Sequence, residues 1–288
     1  MSTTSASIAD PSRSAPPGEP AGRSGSRGRG RRSPAGELAL VLWQVRYEQR
    51  GFWRNRRRAF AVFAFPLMFL LIFGGLESGR HVYSSIPYID FYVPGIIAYA
   101  VMVTGFSGMA MVIAGLRENG VIKRMRATPM PWSSYLAGIV LSTVVTVIAA
   151  TVVLLIVGLL FYKANLRAGA IPGLAITIAL GTVCFTSLGI AISRLIPKPD
   201  SGMPILMFVT LPLSFVSNVF FPVNKPQALV ELGKFFPLRP LADGLFPVFD
   251  SHARGSGLVG SDLTTLAIWA AVGCVLMVRT MRGLSTHD

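Results

Sequence analysis

Long apolar runs without charged residues alternate with short polar or basic segments along most of the chain. The first run covers 59–76. At about 1.5 Å rise per residue a helix of that length reaches ~27 Å, close to the roughly 30 Å hydrocarbon core of a bilayer. Similar runs cover 91–115, 135–162, 170–193, 203–222 and 263–278. The pattern predicts an all-α integral membrane protein with six transmembrane helices, the fifth interrupted by Pro204 and Pro212.

The region before the first apolar run divides into two segments. Residues 1–36 are mostly Ser, Gly, Pro and Arg and contain too few apolar side chains to fold, which predicts a disordered basic tail. Residues 37–58 predict an amphipathic helix lying on the membrane surface, although a helix packed on a partner protein would show the same spacing. Its apolar positions are Leu38, Val41, Leu42, Val45, Phe52 and Trp53. The membrane domain then covers 59–282, and 283–288 form a short tail.

Composition agrees with membrane insertion, since 52% of the residues are hydrophobic and only 14% are charged. The net charge of +14 raises the alternative of nucleic-acid binding through the Arg-rich tail. The distribution of the charge argues against it. With the N-terminus inside, six spans leave 20 of the 27 Lys and Arg residues on the inner side. The positive-inside rule therefore predicts a multi-pass plasma-membrane protein with both termini in the cytoplasm and no nucleic-acid partner.

The sequence carries none of the common catalytic or nucleotide-binding motifs. It has no GxxxxGK[ST], HExxH, GxSxG or CxxC, and its histidines, His81, His252 and His287, are scattered. The carboxylates Glu77, Asp90 and Asp262 lie at the ends of predicted spans. We therefore expect no metal or cofactor site in this chain. If it transports a substrate, the energy should come from a partner.

The loop 116–134 is unusually long and basic. Val121, Ile122 and Met125 would share one side of a short helix, which ends before Pro129. Such a helix could dock on a soluble subunit, or it could simply lie at the membrane interface. Periodicity alone favours the second hypothesis, a helix that lies at the membrane interface.

Two segments resemble type-2 ABC transporter permeases. Residues 117–131, RENGVIKRMRATPMP, are similar to the family run R-E-x-G-x-x-[EK]-R-[LM]-x-x-T-P-[LM] after its second span. Residues 218–222, NVFFP, with 232–244, LGKFFPLRPLADG, resemble its G-x-F-F-P … P-L-x-x-x-x-D segment, except that Asn218 replaces the usual Gly. The basic Lys123 fits the drug-exporter branch. The resemblance covers roughly 37–282.

The resemblance implies a division of labour between subunits. A soluble ABC ATPase subunit would bind ATP and Mg²⁺, and a second permease subunit, expected to be identical, would complete the pair in the lipid bilayer. The loop after span two would couple to the ATPase through Arg117, Glu118, Gly120, Lys123, Arg124, Arg126, Thr128 and Pro129. Residues 223–250 would form short re-entrant helices on the outer side. The residues of this outer segment are Phe220, Phe221, Pro222, Pro237, Pro240 and Asp243, with the prolines breaking the helices.

The function predicted on this basis is the permease subunit of an exporter for a hydrophobic or amphipathic substrate, such as a drug, lipid or glycan. The path is expected along spans two and five at the dimer interface, where Gly95, Gly105, Ser107 and Gly108 would allow close helix approach. Two alternatives remain: a membrane enzyme acting on lipid-linked substrates, which would need clustered carboxylates or histidines, and a non-catalytic scaffold.

Overall fold

The structure is a computed structural model that describes residues 34–77, 79, 81–82, 86–121, 124, 132–222, 225–253 and 255–286. Most of the predicted N-terminal tail lies outside these residues. The amphipathic segment is helix α1, Pro34–Arg54, which begins before the predicted residue 37. Asn55 interrupts the helical run, and α2, Arg56–Leu76, follows at once. A short hairpin of β1, His81–Val82, and β2, Ile86–Pro87, was not predicted.

The second predicted span is a continuous helical rod in three parts. These are α3, Tyr88–Met102, a π-helical segment, Val103–Gly108, and α4, Met109–Glu118. Wider π-helical turns inside α-helices often mark functional sites. Nothing in the hydrophobic pattern predicted this segment, because hydropathy does not distinguish a π-helical turn from an α-helical one.

The remaining elements follow in chain order. Helix α5, Trp132–Tyr162, leads through a 3-10 turn, Ala168–Ala170, into α6, Ile171–Ile192. A second 3-10 turn, Ser193–Leu195, precedes α7, Pro199–Val216. Two short helices, α8, Gln227–Phe235, and α9, Leu238–Leu245, are followed by a 3-10 turn, Phe246–Val248. Helix α10, Gly260–Thr286, ends the described chain.

Within the described residues, four stretches are long and apolar enough to cross a membrane. They are Tyr88–Glu118, Ser134–Tyr162, Ala168–Leu195 and Gly260–Met281, and they coincide with the second, third, fourth and sixth predicted spans. The first and fifth correspond to the shorter apolar stretches Val62–Leu76 and Ser201–Val216. The chain is therefore a mostly helical, multi-pass membrane protein.

The fifth predicted span differs from the structure in two respects: the predicted interruption at Pro204 and Pro212, and the predicted end at Pro222. Helix α7 runs unbroken through Pro204 and Pro212. It ends at Val216 and not at Pro222, because Asn218 adopts the left-handed conformation, with φ of 57°. That conformation commonly terminates helices.

Helix α3 lies at the centre of the core, with every residue except Ile89 buried. It packs against α2, α5, α6 and α9, while α6 packs along α10. The small residues of span two serve these contacts within the chain. A Cβ on Gly95 would clash with the Val219 carbonyl oxygen, and one on Gly105 would lie 3.1 Å from Phe185 Cβ. The prediction that Gly95 and Gly105 face a dimer interface was wrong.

Helix α1 turns two of its polar side chains, Gln44 and Gln49, toward the protein. The Gln49 side-chain amide donates to the Ser142 carbonyl oxygen at 2.7 Å and to Thr146 Oγ1 at 3.1 Å, both on α5. Leu38, Leu42 and Trp43 are exposed instead. Gln49 thus finds partners between the two helices, whereas several apolar side chains of α1 point outward and Phe52 is buried.

Candidate functional site

The loop predicted to receive a partner begins at a glycine-terminated helix end. The Asn119 N–H donates to the Gly115 carbonyl at 3.0 Å, and the Gly120 N–H donates to the Arg117 carbonyl at 3.1 Å. Gly120 has φ of 63°, a conformation that glycine adopts without strain. The glycine of the sequence motif is therefore the residue that turns the chain out of α4.

Arg117 fixes the C-terminal end of α4 to the C-terminal end of α6. Its guanidinium donates to the Ser193 carbonyl at 3.3 Å and to the Ile196 carbonyl. These carbonyls lie where α6 ends, so the positive charge also meets the negative end of the helix dipole. These bonds join the end of α4 to the connection between α6 and α7.

A second arginine extends the connection to the last span. Arg194 follows α6 directly, and its side chain donates to the Thr280 carbonyl at 2.6 Å and the Arg279 carbonyl at 3.2 Å. The ends of α4, α6 and α10 on this side are thus linked by two arginines. The sequence motif identified Arg117 but not Arg194, whose only distinguishing feature is that it is a lone charge ending an apolar run.

Beyond Gly120 the described part of the loop is short. The Arg124 side chain donates to the Asn119 carbonyl at 2.8 Å, which folds it back over the end of α4. Glu118 and Arg124 are both exposed and form part of a surface that a soluble partner could contact. Lys123, Arg126, Thr128 and Pro129 lie outside the described residues.

On the opposite side of the molecule, Asp243 organises a polar cluster. Its carboxylate accepts a hydrogen bond from the Asn218 side-chain amide at 3.0 Å and pairs with Arg239 at 3.3 Å. Arg239, only 6% exposed, also donates to the Val230 carbonyl at 3.2 Å. Burial raises the pKa of the Asp243 carboxyl, while Asn218 and Arg239 favour its ionised form. The cluster therefore joins the end of α7 to α8 and α9.

Arg239 was absent from the predicted site. Its spacing of four residues from Asp243 on a helical segment was the sequence feature that could have identified it. Pro237 lies between α8 and α9, as a helix-breaking residue should. Pro240 lies in the first turn of α9, where proline is tolerated, so the prediction that it breaks a helix was wrong.

Phe220 inserts the outer segment into the core. It is 1% exposed, and its ring centroid lies 5.0 Å from that of Phe69 and 5.5 Å from that of Tyr99. The Tyr88 hydroxyl donates to the Phe220 carbonyl at 2.7 Å. Phe221 is 41% exposed and touches Phe73 edge to face, and Pro222 is half-buried. This segment is therefore anchored by one of its two phenylalanines.

Comparison with known proteins identifies relatives for most of the chain. A sequence profile described as ABC-2 type transporter matches residues 39–249. The daunorubicin resistance ABC transporter permease protein DrrB1 of Streptomyces coeruleorubidus is 31% identical over 232 residues, which are 77% of this chain and 78% of that protein. The inner membrane transport permease YadH of Escherichia coli (strain K12) is 24% identical over 161 residues, 54% of this chain and 61% of that protein. The profile match includes both the loop after α4 and the outer segment.

Proposed function

The chain belongs to the ABC-2 type transporter family, and from this premise we propose that it is the permease subunit of an exporter driven by a separate ATPase subunit. ATP and Mg²⁺ are assigned to that partner, and this chain supplies the transmembrane path. In the proposed topology α2 and α7 complete a set of six spans, both termini are cytoplasmic, and α8 and α9 are re-entrant helices on the outer side.

The observation that carries the proposal is the connection made by Arg117. It lies at the start of the motif loop and donates to carbonyls at Ser193 and Ile196. A push on the exposed Glu118 and Arg124 would therefore reach α6 and α7 directly. A basic loop that served only to orient the protein would not require such bonds.

The proposed substrate is a hydrophobic or amphipathic molecule such as a drug, lipid or glycan. Two facts support this choice: one relative is named for daunorubicin resistance, and α7 exposes an apolar, methionine-containing surface at Met203, Met207 and Phe208. Methionine side chains adapt to differently shaped apolar ligands. The same exposed surface of α7 is available for a second permease subunit, which we propose to be an identical chain.

The test is purification of the full chain from its native membranes in detergent, followed by measurement of co-purifying ATP hydrolysis. Glu118→Ala and Arg124→Ala should lower the ATPase activity that co-purifies by roughly fivefold or more, since a loss of about 1 kcal/mol of binding corresponds to that factor. Glu231→Ala and Lys234→Ala are matched controls, because these residues form an exposed pair on α8. The controls should retain the activity of the unaltered chain.

Two results would overturn the proposal. The chain could purify without any ATPase. That result would favour the two alternatives, a membrane enzyme acting on lipid-linked substrates or a non-catalytic scaffold. Alternatively, the loop variants could behave like the α8 controls, which would remove the coupling role from Glu118 and Arg124.

A further inference from the structure

An apolar groove of about 470 Å³ runs between α6, α7 and α10. Its wall includes Phe106, Phe185, Leu188, Leu213, Trp269 and Leu276. Leu276 is 41% exposed and Val209, another lining residue, is 39% exposed, so the groove opens on the surface of the helix bundle. The surface here belongs to membrane-crossing helices, and the groove is therefore open to lipid.

The groove is polar at only one end. Arg194 and Thr280 line that end, while Trp269 and Phe236 line the other. The indole N–H of Trp269 already donates to the Phe235 carbonyl at 2.8 Å. Arg194 uses one guanidinium nitrogen for its bonds to Thr280 and Arg279, and arginine has five N–H donors in all. The remaining donors are available for an anion at the mouth of the groove.

The length of the groove along α10 matches the hydrocarbon thickness of one bilayer leaflet. Trp269 and Thr280 lie on the same helix, α10, and their separation in sequence corresponds to about 16 Å at 1.5 Å per residue. Half of a roughly 30 Å hydrocarbon core is about 15 Å. A lipid acyl chain entering beside Arg194 would therefore end near Trp269, close to the middle of the membrane.

We propose that this groove binds an anionic phospholipid, with one acyl chain along the apolar wall and the phosphate at Arg194. Arg279 directly precedes the groove-lining Thr280 on α10 and has an exposed side chain, so it supplies a further positive charge close to this end of the groove. Basic pockets between transmembrane helices recognise anionic headgroups in this way. The lipid belongs to the cytoplasmic leaflet, an assignment that rests on the orientation in the proposed function.

Trp269 is a built-in reporter for this site. In a chain whose other tryptophans, Trp43, Trp53 and Trp132, are replaced by Phe, its fluorescence can be measured alone in phosphatidylcholine vesicles. Phosphatidylglycerol with brominated acyl chains should quench Trp269 more strongly than the same fraction of brominated phosphatidylcholine. Arg194→Gln should lower the apparent affinity for the anionic lipid roughly fivefold, and Arg279→Gln should lower it in the same direction.

The controls separate this site from general membrane effects. Lys234→Gln removes an exposed positive charge from α8, near the opposite end of the groove, and should leave the lipid preference intact. Arg194→Lys keeps the charge and should restore most of the preference, which guards against a folding defect in Arg194→Gln. Equal quenching by the two lipids, loss of preference in Lys234→Gln, or displacement of the lipid by millimolar inorganic phosphate would each overturn the proposal. The measurement needs no ATPase, so it can succeed or fail independently of the coupling test.

Discussion

At the scale of single residues, Asn218 shows why the outer segment tolerates a departure from the usual glycine. Its φ of 57° is a conformation in which glycine is unstrained and asparagine is among the better-tolerated alternatives. Its side-chain amide donates to Asp243, a contact that glycine could not make. The residue thus combines a chain turn with a bond that fixes α9 against the end of α7.

Replacement of Asn218 should separate these two roles. Asn218→Ala loses the bond to Asp243 and leaves a left-handed residue without the polar side chain that makes asparagine tolerated there, so we expect a loss of stability of about 2–3 kcal/mol. Asn218→Gly loses the same bond but relieves the backbone strain, and its effect should be clearly smaller. The measurement is the apparent melting temperature in detergent by intrinsic fluorescence. Equal decreases for Ala and Gly would show that the backbone conformation is not what the position requires.

At the scale of elements, close backbone approach determines where the outer segment lies. Gly95, in the middle of buried α3, lets the Val219 carbonyl come so near that no Cβ would fit between them. Phe220 then packs beside α3, under the Tyr88 hydroxyl. Since the obstructing atom belongs to the backbone, a rotamer change cannot relieve a clash at this point.

Gly95→Ala should therefore destabilise the protein, by about 1–3 kcal/mol, which is typical of overpacking in a dense core. Gly115→Ala is the matched control, because an added methyl group there would have no atom within 4 Å. In that half-buried helical position alanine should raise stability by about 0.5–1 kcal/mol. Both variants can be compared with the unaltered chain by melting temperature in one detergent. A neutral Gly95→Ala would mean that α3 and the 218–222 segment are not tightly packed.

Helix α1 illustrates a second point about elements, the influence of the surrounding medium. In water its apolar side would be expected to pack inward, but here Gln44 and Gln49 face α5 while Leu42 and Trp43 are exposed. Next to lipid an outward apolar side chain costs little, whereas polar groups gain by hydrogen bonding between helices. This arrangement supports a membrane-associated α1.

At the scale of the whole molecule, positive charge is concentrated at one end of the helix bundle. Arg117, Arg194, Lys198 and Arg279 lie at the helix ends on this side, together with the basic approach to α2. The other end carries four aspartates, Asp90, Asp243, Asp250 and Asp262, and five of the described basic residues, Lys163, Arg167, Lys225, Lys234 and Arg239. By the positive-inside rule we propose that the arginine-linked end is the cytoplasmic one. The loop after α4, for which we propose a coupling role, and the mouth of the proposed lipid groove would then face the same compartment.

This orientation predicts which loops are accessible from outside the cell. Single cysteines can be introduced at the exposed positions Ser251, between α9 and α10, and Ser201, at the start of α7, in a chain with Cys184 and Cys274 replaced by Ala. A membrane-impermeant maleimide should label Ser251→Cys in intact cells and Ser201→Cys only after permeabilisation. The reverse pattern would invert the topology and would place the groove in the other leaflet.

Much of this architecture could be predicted from the sequence because its cause is local. An uncharged apolar run as long as a bilayer is thick is costly to expose to water, so 135–162 and 170–193 predicted α5 and α6 almost to their ends. The charge asymmetry and the two motif segments could also be identified directly from the sequence. The predicted end of the fifth span failed because one left-handed residue ends α7, and hydropathy does not register backbone conformation.

The sequence by itself determined the number of apolar runs, their order and the basic segments between them. Only the tertiary structure decided which polar groups meet. Asn218 and Asp243 are 25 residues apart, Arg117 and Ser193 are 76 apart, and Gln49 and Ser142 are 93 apart. The physical reason is that a hydrogen bond in an apolar surrounding depends on which helices become neighbours, and that choice follows from the packing of all the helices together.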